Sequence, residues 1–214
     1  FVSGGSAMAN SPSTATGDAT GWTCAILVDD SDASGTLLWT INFGDSSGNA
    51  GSEVSSYDDG TTSNTGTVDN THPTLASTAI ATSGTGNANN ADVVSLTFTS
   101  ATDVTTAPVC AFSDTGAAMA NSPSTATGDA TGWTCAITVA DDDADGAITY
   151  SISFSDASGN AGVAVTSGSG AVTIDNTHPT LASTAIATSG SGNANNADVV
   201  SLTFTSATDV TTAP

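Results

Sequence analysis

Apolar and polar residues alternate along several short stretches of this chain, the period expected of a β-strand with one buried face. Val94, Leu96 and Phe98 alternate with Val93, Ser95, Thr97 and Thr99. Trp133, Cys135, Ile137 and Val139 alternate with Thr134, Ala136 and Thr138, and Ile148, Tyr150, Ile152 and Phe154 with Thr149, Ser151, Ser153 and Ser155. Cys110 and Phe112 share one face of a further stretch. Clusters rich in Gly, Asp, Asn and Ser lie between them at 83–90, 114–118, 141–146, 156–162 and 167–170, and read as turns. No segment carries an apolar stripe at helical spacing. The fold class predicted is all-β, a two-sheet sandwich of about seven short strands per unit.

The alternation occurs twice. Residues 7–26 recur unchanged at 118–137, an offset of 111. Residues 69–108 recur at 175–214 with one change, Thr85 to Ser191, at an offset of 106. Between these blocks the apolar positions persist although the sequence differs: Leu37, Trp39, Ile41 and Phe43 become Ile148, Tyr150, Ile152 and Phe154. A unit of 106–111 residues has the size of a sandwich domain and is too long for a small solenoid repeat. If a unit opens at Thr74, residues 74–179 form one whole unit, 1–73 the back part of a preceding one and 180–214 the opening strands of a third. Such partial units would present apolar faces and open edges. Three arrangements would cover them: a longer tandem array, completion of 1–73 by 180–214 of a neighbouring molecule, or closure within one chain.

Composition narrows the partners. The 214 residues include no Lys and no Arg against 21 acidic residues, all Asp except Glu53, for a net charge of −21. Basic side chains for nucleic acid phosphates or anionic lipid are therefore missing. No apolar run approaches the length of a membrane-spanning helix. No G-x-S-x-G elbow, phosphate-binding loop or paired-carboxylate site is present, so no enzymatic activity is expected.

Three groups of pieces carry a resemblance. They are the junction DNTHPTL at 69–75 and 175–181 with ADVVSLTFTSATDVTTAP at 91–108, the stretch GWTCAITVADDDADGAITYSISFSDASGNAG at 132–162, and AVTID at 171–175. Together they resemble the bacterial Ig-like domains that occur in tandem in large surface adhesins. The likeness covers nearly the whole chain, although such domains usually carry Lys or Arg on their surface. It implies tandem Ig-like β-sandwich domains at the cell surface with a structural or adhesive role, and it identifies no ligand.

Candidate chemistry gathers at the turns and junctions. Asp141, Asp143 and Asp145 before Gly146 form a D-x-D-x-D-G pattern, whose alternating carboxylates could converge on calcium. An EF-hand would need an acid where Ile152 stands, so ligands would have to come from elsewhere. Asp30 and Asp32 are the weaker copy, and Asp69 and Asp175 stand at the two junctions, where arrays resembling this one often place calcium. The competing reading is a solvated Asp-rich turn. Asp45 and Asp156 are expected to hold tight turns through their own backbone, and His72 and His178 to act as turn or packing groups. Cys110 and Cys135 lie on inward faces of two strands of one unit, which permits a disulfide and with it an oxidising, extracellular setting; two buried thiols are the alternative. Cys24 matches Cys135, and its partner would fall two places before Phe1.

These observations point to an extracellular structural repeat: a filament, stalk or adhesin extender whose partners are copies of itself or adjoining repeats. The rival is a binding module for a surface glycan or protein, with Tyr57, Asp58 and Asp59 in the variable stretch 52–68 as its candidate surface. A surface layer adapted to high salt is a third reading of an Asp-rich, Lys-free chain.

Overall fold

The computed structural model describes residues 1–56, 66–102, 104–129, 131–208 and 210. Every regular element among them is a β-strand, and the paired strands run antiparallel. The best-covered part is built on two sheets. The first orders its strands Thr127–Asp129, Gly132–Thr138, Val93–Ser100 and Leu75–Thr82. The second orders Ala117–Ala118, Val109–Asp114, Gly146–Ser153 and Thr173–Ile174, with Ser124–Thr125 added to Val109–Asp114.

Alternation decides which side chains meet between the sheets. Val94, Leu96 and Phe98 lie opposite Ile137, Cys135 and Trp133 on the neighbouring strand. All six are buried in one apolar cluster with Phe112, Ile148 and Ile152 of the other sheet and Phe154 just beyond its strand Gly146–Ser153. The polar residues between them face outward, as one-sided burial of an antiparallel sheet requires. A disulfide joins Cys110 to Cys135 across the cluster, between strands of different sheets. This is a β-sandwich-like arrangement around a single core.

The turn after Gly146–Ser153 explains its own sequence. Asp156 accepts the Asn160 amide at 2.8 Å and the Asn160 side-chain amide at 2.9 Å, closing the loop over Gly159, whose φ is 95°. The Phe154 ring then lies directly over Gly162, where an added Cβ would run into the ring carbons. Asp45, Asn49, Phe43 and Gly51 repeat the arrangement in the first copy.

Residues 1–56 and 66–68 use the same sequence elements with far less cover. Their largest sheet orders Ser6–Ala7, Val2–Ser3, Gly35–Leu38 and Thr67–Val68, and among the described residues Gly21–Thr23 pairs only with Thr16–Asp18. Trp22 is 65% exposed, whereas its copy Trp133 is 5% exposed. At the other end, Leu181–Thr188 and Val200–Ser206 form a two-stranded hairpin.

Reducing the disulfide, or replacing Cys110 and Cys135 together by Ala, is expected to cost about 3 kcal/mol of stability, given the loop it closes. Urea unfolding with and without reductant measures this; coincident curves would mean the two sheets hold without the bond. Gly162→Ala is expected to cost roughly 1–3 kcal/mol by forcing the Phe154 ring off its position. A Gly162→Ala melting temperature equal to that of the parent chain would contradict the packing described.

Candidate functional site

The candidate site is formed by the two repeated linkers, 69–72 and 175–178, with the turns they meet, and its construction begins with aspartates that have no Lys or Arg to pair with. Asp143 is buried, and its two oxygens accept the Ala120 and Ala140 amides, each at 2.8 Å. Asp32 does the same for Ala9 at 2.6 Å and Asp29 at 2.8 Å. A carboxylate satisfied by backbone N–H groups tolerates burial where an unpaired one would not. In a chain without Lys or Arg, the backbone is the main source of such donors.

On this clamped turn each linker seats an asparagine. The Asn70 side-chain amide donates to the Asp29 and Asp32 carbonyls, both at 2.8 Å, and that of Asn176 to the Ala140 and Asp143 carbonyls, both at 2.9 Å. The backbone amide of Asn70 donates to Ser34 Oγ at 2.9 Å; that of Asn176 donates to Asp145 at 2.5 Å. Thr71 and Thr177 then meet Ser34 and Asp145 through their hydroxyls. The body before each linker is therefore gripped in the same way twice.

At the first junction the linker also grips the body that follows. Asp69 accepts the Ser158 hydroxyl at 2.7 Å through its carboxylate and the Asn160 side-chain amide at 2.8 Å through its carbonyl. His72 spans both sides, with Nδ1 at 2.8 Å from the Ala161 carbonyl and Nε2 at 3.2 Å from the Asp30 carboxylate. Carbonyl and carboxylate oxygens only accept, so making both bonds at once takes the imidazolium form, with each ring nitrogen donating. The Ala161 hydrogen bond first, and Asp30 second, raise the His72 pKa above the usual histidine value. His178 lies 3.8 Å from Asp141.

The carboxylates considered as calcium ligands are thus distributed among separate hydrogen-bonding tasks. Asp32, Asp143 and Asp145 hold the turns and linker, Asp69 holds the next body, Asp175 accepts the Thr177 amide at 3.2 Å, and Asp30 faces His72. Among the described residues no three His, Cys, Asp or Glu side chains are grouped so as to hold a metal ion. Hydrogen bonds lower the carboxylate pKa of Asp145, chiefly from Thr177, and of Asp156, chiefly from Asn160. The candidate binding residues Tyr57, Asp58 and Asp59 lie outside the described residues. A shallow groove beside Thr78, Phe98 and Trp133 is lined by no ionisable side chain. Cys24 is an exposed free thiol.

The sequence leads to turn or packing groups at His72 and His178 and gives no sign of the two-sided contact of His72. Its two partners lie 42 and 89 residues away, so no local motif could have signalled the contact. No known protein family, curated protein or solved structure matches the chain.

The junction responds to pH from both sides. The raised His72 pKa makes its contribution complete below about pH 6.5 and lost as pH rises through the higher folded value. The lowered Asp145 and Asp156 values work oppositely: their contribution is complete above about pH 4 and lost as pH falls through the lower folded values. Histidine ring-proton NMR should give His72 a midpoint above the unfolded-state value, and Asp30→Asn should lower it. A His72 midpoint at or below the unfolded value would remove the bridge.

Proposed function

We propose that this protein is an extracellular structural repeat, a spacer in a filament, stalk or adhesin extender, built of tandem Ig-like β-sandwich bodies. The observation that carries the reading is the repeated linker grip: Asn70 and Asn176 make the same paired bonds to two turns of different sequence. A linker pinned to the body before it, and at the first junction also to the body after it, transmits orientation from one body to the next. A flexible tether would leave those groups in water. Sequence near-identity between copies suits multiplication of length. The charge of −21 keeps neighbouring strands of material apart at low salt. Calcium at the Asp-rich turns belongs to the proposal as an accessory ion that would screen this charge. The resemblance to adhesin-type repeats agrees with a surface location and with a mechanical rather than catalytic task.

Small-angle X-ray scattering on the whole chain tests the rigid junction. The expected result is an elongated particle whose maximum dimension is stable across moderate salt, and whose scattering broadens when Asn70→Ala and His72→Ala remove the grip. A scattering curve unchanged by both substitutions would contradict the role given to the linker. Adding a chelator and then millimolar calcium tests the accessory ion, which should alter salt sensitivity; identical curves would remove calcium.

A further inference from the structure

The last segment of the body at 75–174 crosses between its two sheets. At Val165 it pairs with Ile152 of the second sheet, the Ile152 amide donating to the Val165 carbonyl at 2.9 Å and the Val165 amide to the Ile152 carbonyl at 3.2 Å. At Ser169 it lies instead along Leu75–Thr82, the edge strand of the first sheet. There the Ser169 amide donates to the Thr78 carbonyl at 2.9 Å and the Ile80 amide to the Ser169 carbonyl at 3.0 Å. At Thr173–Ile174 it returns to the second sheet, beside Gly146 and Ala147.

Two contacts of this segment run in the opposite sense to the rest of the body. The strand pairs of both sheets are antiparallel, whereas Ala79 with Ser169 and Ala88 with Ile174 form parallel bridges. At the second bridge the Ala88 amide donates to the Thr173 carbonyl at 2.8 Å and the Asp175 amide to the Ala88 carbonyl at 2.9 Å. The first strand of the body and its last segment thus point the same way, so the chain enters at one end and leaves at the other. The linkers agree. The first meets the body at Ser158–Ala161, beyond the end of Gly146–Ser153, and the second seats on Ala140–Asp145, before its start.

The residues of the segment fit this close approach. Ser169 stands between two glycines, and a Cβ added at Gly168 or Gly170 would meet the Thr78 or Ile80 carbonyl oxygen. Gly170 also has a φ of 81°, in the region that favours glycine. Two glycines in so short a stretch cost ordering entropy, and backbone-to-backbone contact is what they make possible. Val165 packs against the core, while Val163, just after the turn that the first linker meets, is 85% exposed.

We propose that the parallel contacts of Thr78 and Ile80 with Ser169, and of Ala88 with Thr173 and Asp175, form a load-bearing clamp that resists tension applied through the two linkers. The proposal rests on the structural-repeat reading and names where such a spacer carries its load. Tension through the first linker pulls on Leu75, and tension through the second pulls on Ile174 in the opposite direction. Because the two backbones run parallel, this pull slides one along the other and loads both bonding stations together. Had the ends lain side by side, as in an antiparallel pair, the bonds would open in turn from the loaded end. Resistance to force is a matter of the barrier to unfolding rather than of equilibrium stability, so a few well-placed bonds can set it.

Single-molecule pulling on the whole chain tests the clamp by direction, in a variant carrying Val163→Cys and Cys24→Ser. Handles on the two chain ends load the clamp lengthwise. Handles on the amino end and on the thiol at position 163 load it from the end where the first linker enters, and peel it. The expected unfolding force is at least about twofold higher lengthwise, because two bonding stations share the load instead of breaking in turn. Reducing the Cys110–Cys135 bond should lengthen the lengthwise step by roughly 80 Å, the span of the loop it closes, which assigns the event to this body. Ser169→Pro removes the donor to Thr78 and should bring the lengthwise force down toward the peeling value. The directional comparison leaves the segment's own bonds intact and decides alone where Ser169→Pro does not fold. Equal forces in the two directions, a step that reduction does not lengthen, or a lengthwise force unchanged by Ser169→Pro would overturn the clamp. Scattering from the whole chain tests the spacer reading independently of these forces, so the two can fail separately.

Discussion

The structure depends on one constraint: the apolar face of the sheet formed by Leu75–Thr82, Val93–Ser100 and Gly132–Thr138 must be covered by the opposite sheet. With these strands in register, Leu96, Phe98, Trp133 and Cys135 close one side of the core, and the bond to Cys110 fastens it to the opposite sheet. Where the same sequences lack that cover among the described residues, Leu202, Ile186 and Trp22 are exposed. Local preference is the same in both copies, so packing between the sheets makes the difference. Burial of this kind supplies most of the stability of a small β-body, because the hairpin alone has too little apolar area to offset its ordering.

The charge composition imposes a second constraint, which shapes every junction. Without Lys or Arg, a carboxylate near the protein interior must find backbone amides or hydroxyls. Asp32 and Asp143 do so with paired N–H groups, and Asp45 and Asp156 do so within their own turns. The linkers then recognise the bodies through neutral amides and hydroxyls, with His72 the one side chain able to bring a positive charge to the first junction. Such contacts are short-ranged and directional, which suits holding a linker on a turn within a strongly negative chain.

Much of this was legible in the residues. The two-residue alternation at 93–99, 133–139 and 148–154 marks strands and inward faces because one-sided burial requires it. The repeat itself brought forward the idea that the two ends match. The tasks of the carboxylates were harder to read. An alternating Asp pattern satisfies the description of a calcium loop and equally that of a turn whose acids accept backbone amides. Only the positions of Ala120 and Ala9, 23 residues from the acids they bond, separate the two uses. The contact of Asp69 with Ser158 spans 89 residues and has no counterpart in local spacing. Tandem Ig-like organisation likewise rests on motif resemblance, since the sheets described here establish an all-β, sandwich-like body without specifying its lineage.

The central claim is that packing between the two sheets, fastened by the Cys110–Cys135 bond, is what holds the β-body together. Amide hydrogen exchange measured residue by residue tests it most directly. The account predicts the slowest exchange at Leu96, Cys135 and Ile152, and exchange many times faster at the exposed Leu202 and Trp22. Equal protection of Leu96 and Leu202, which share one local sequence, would contradict it.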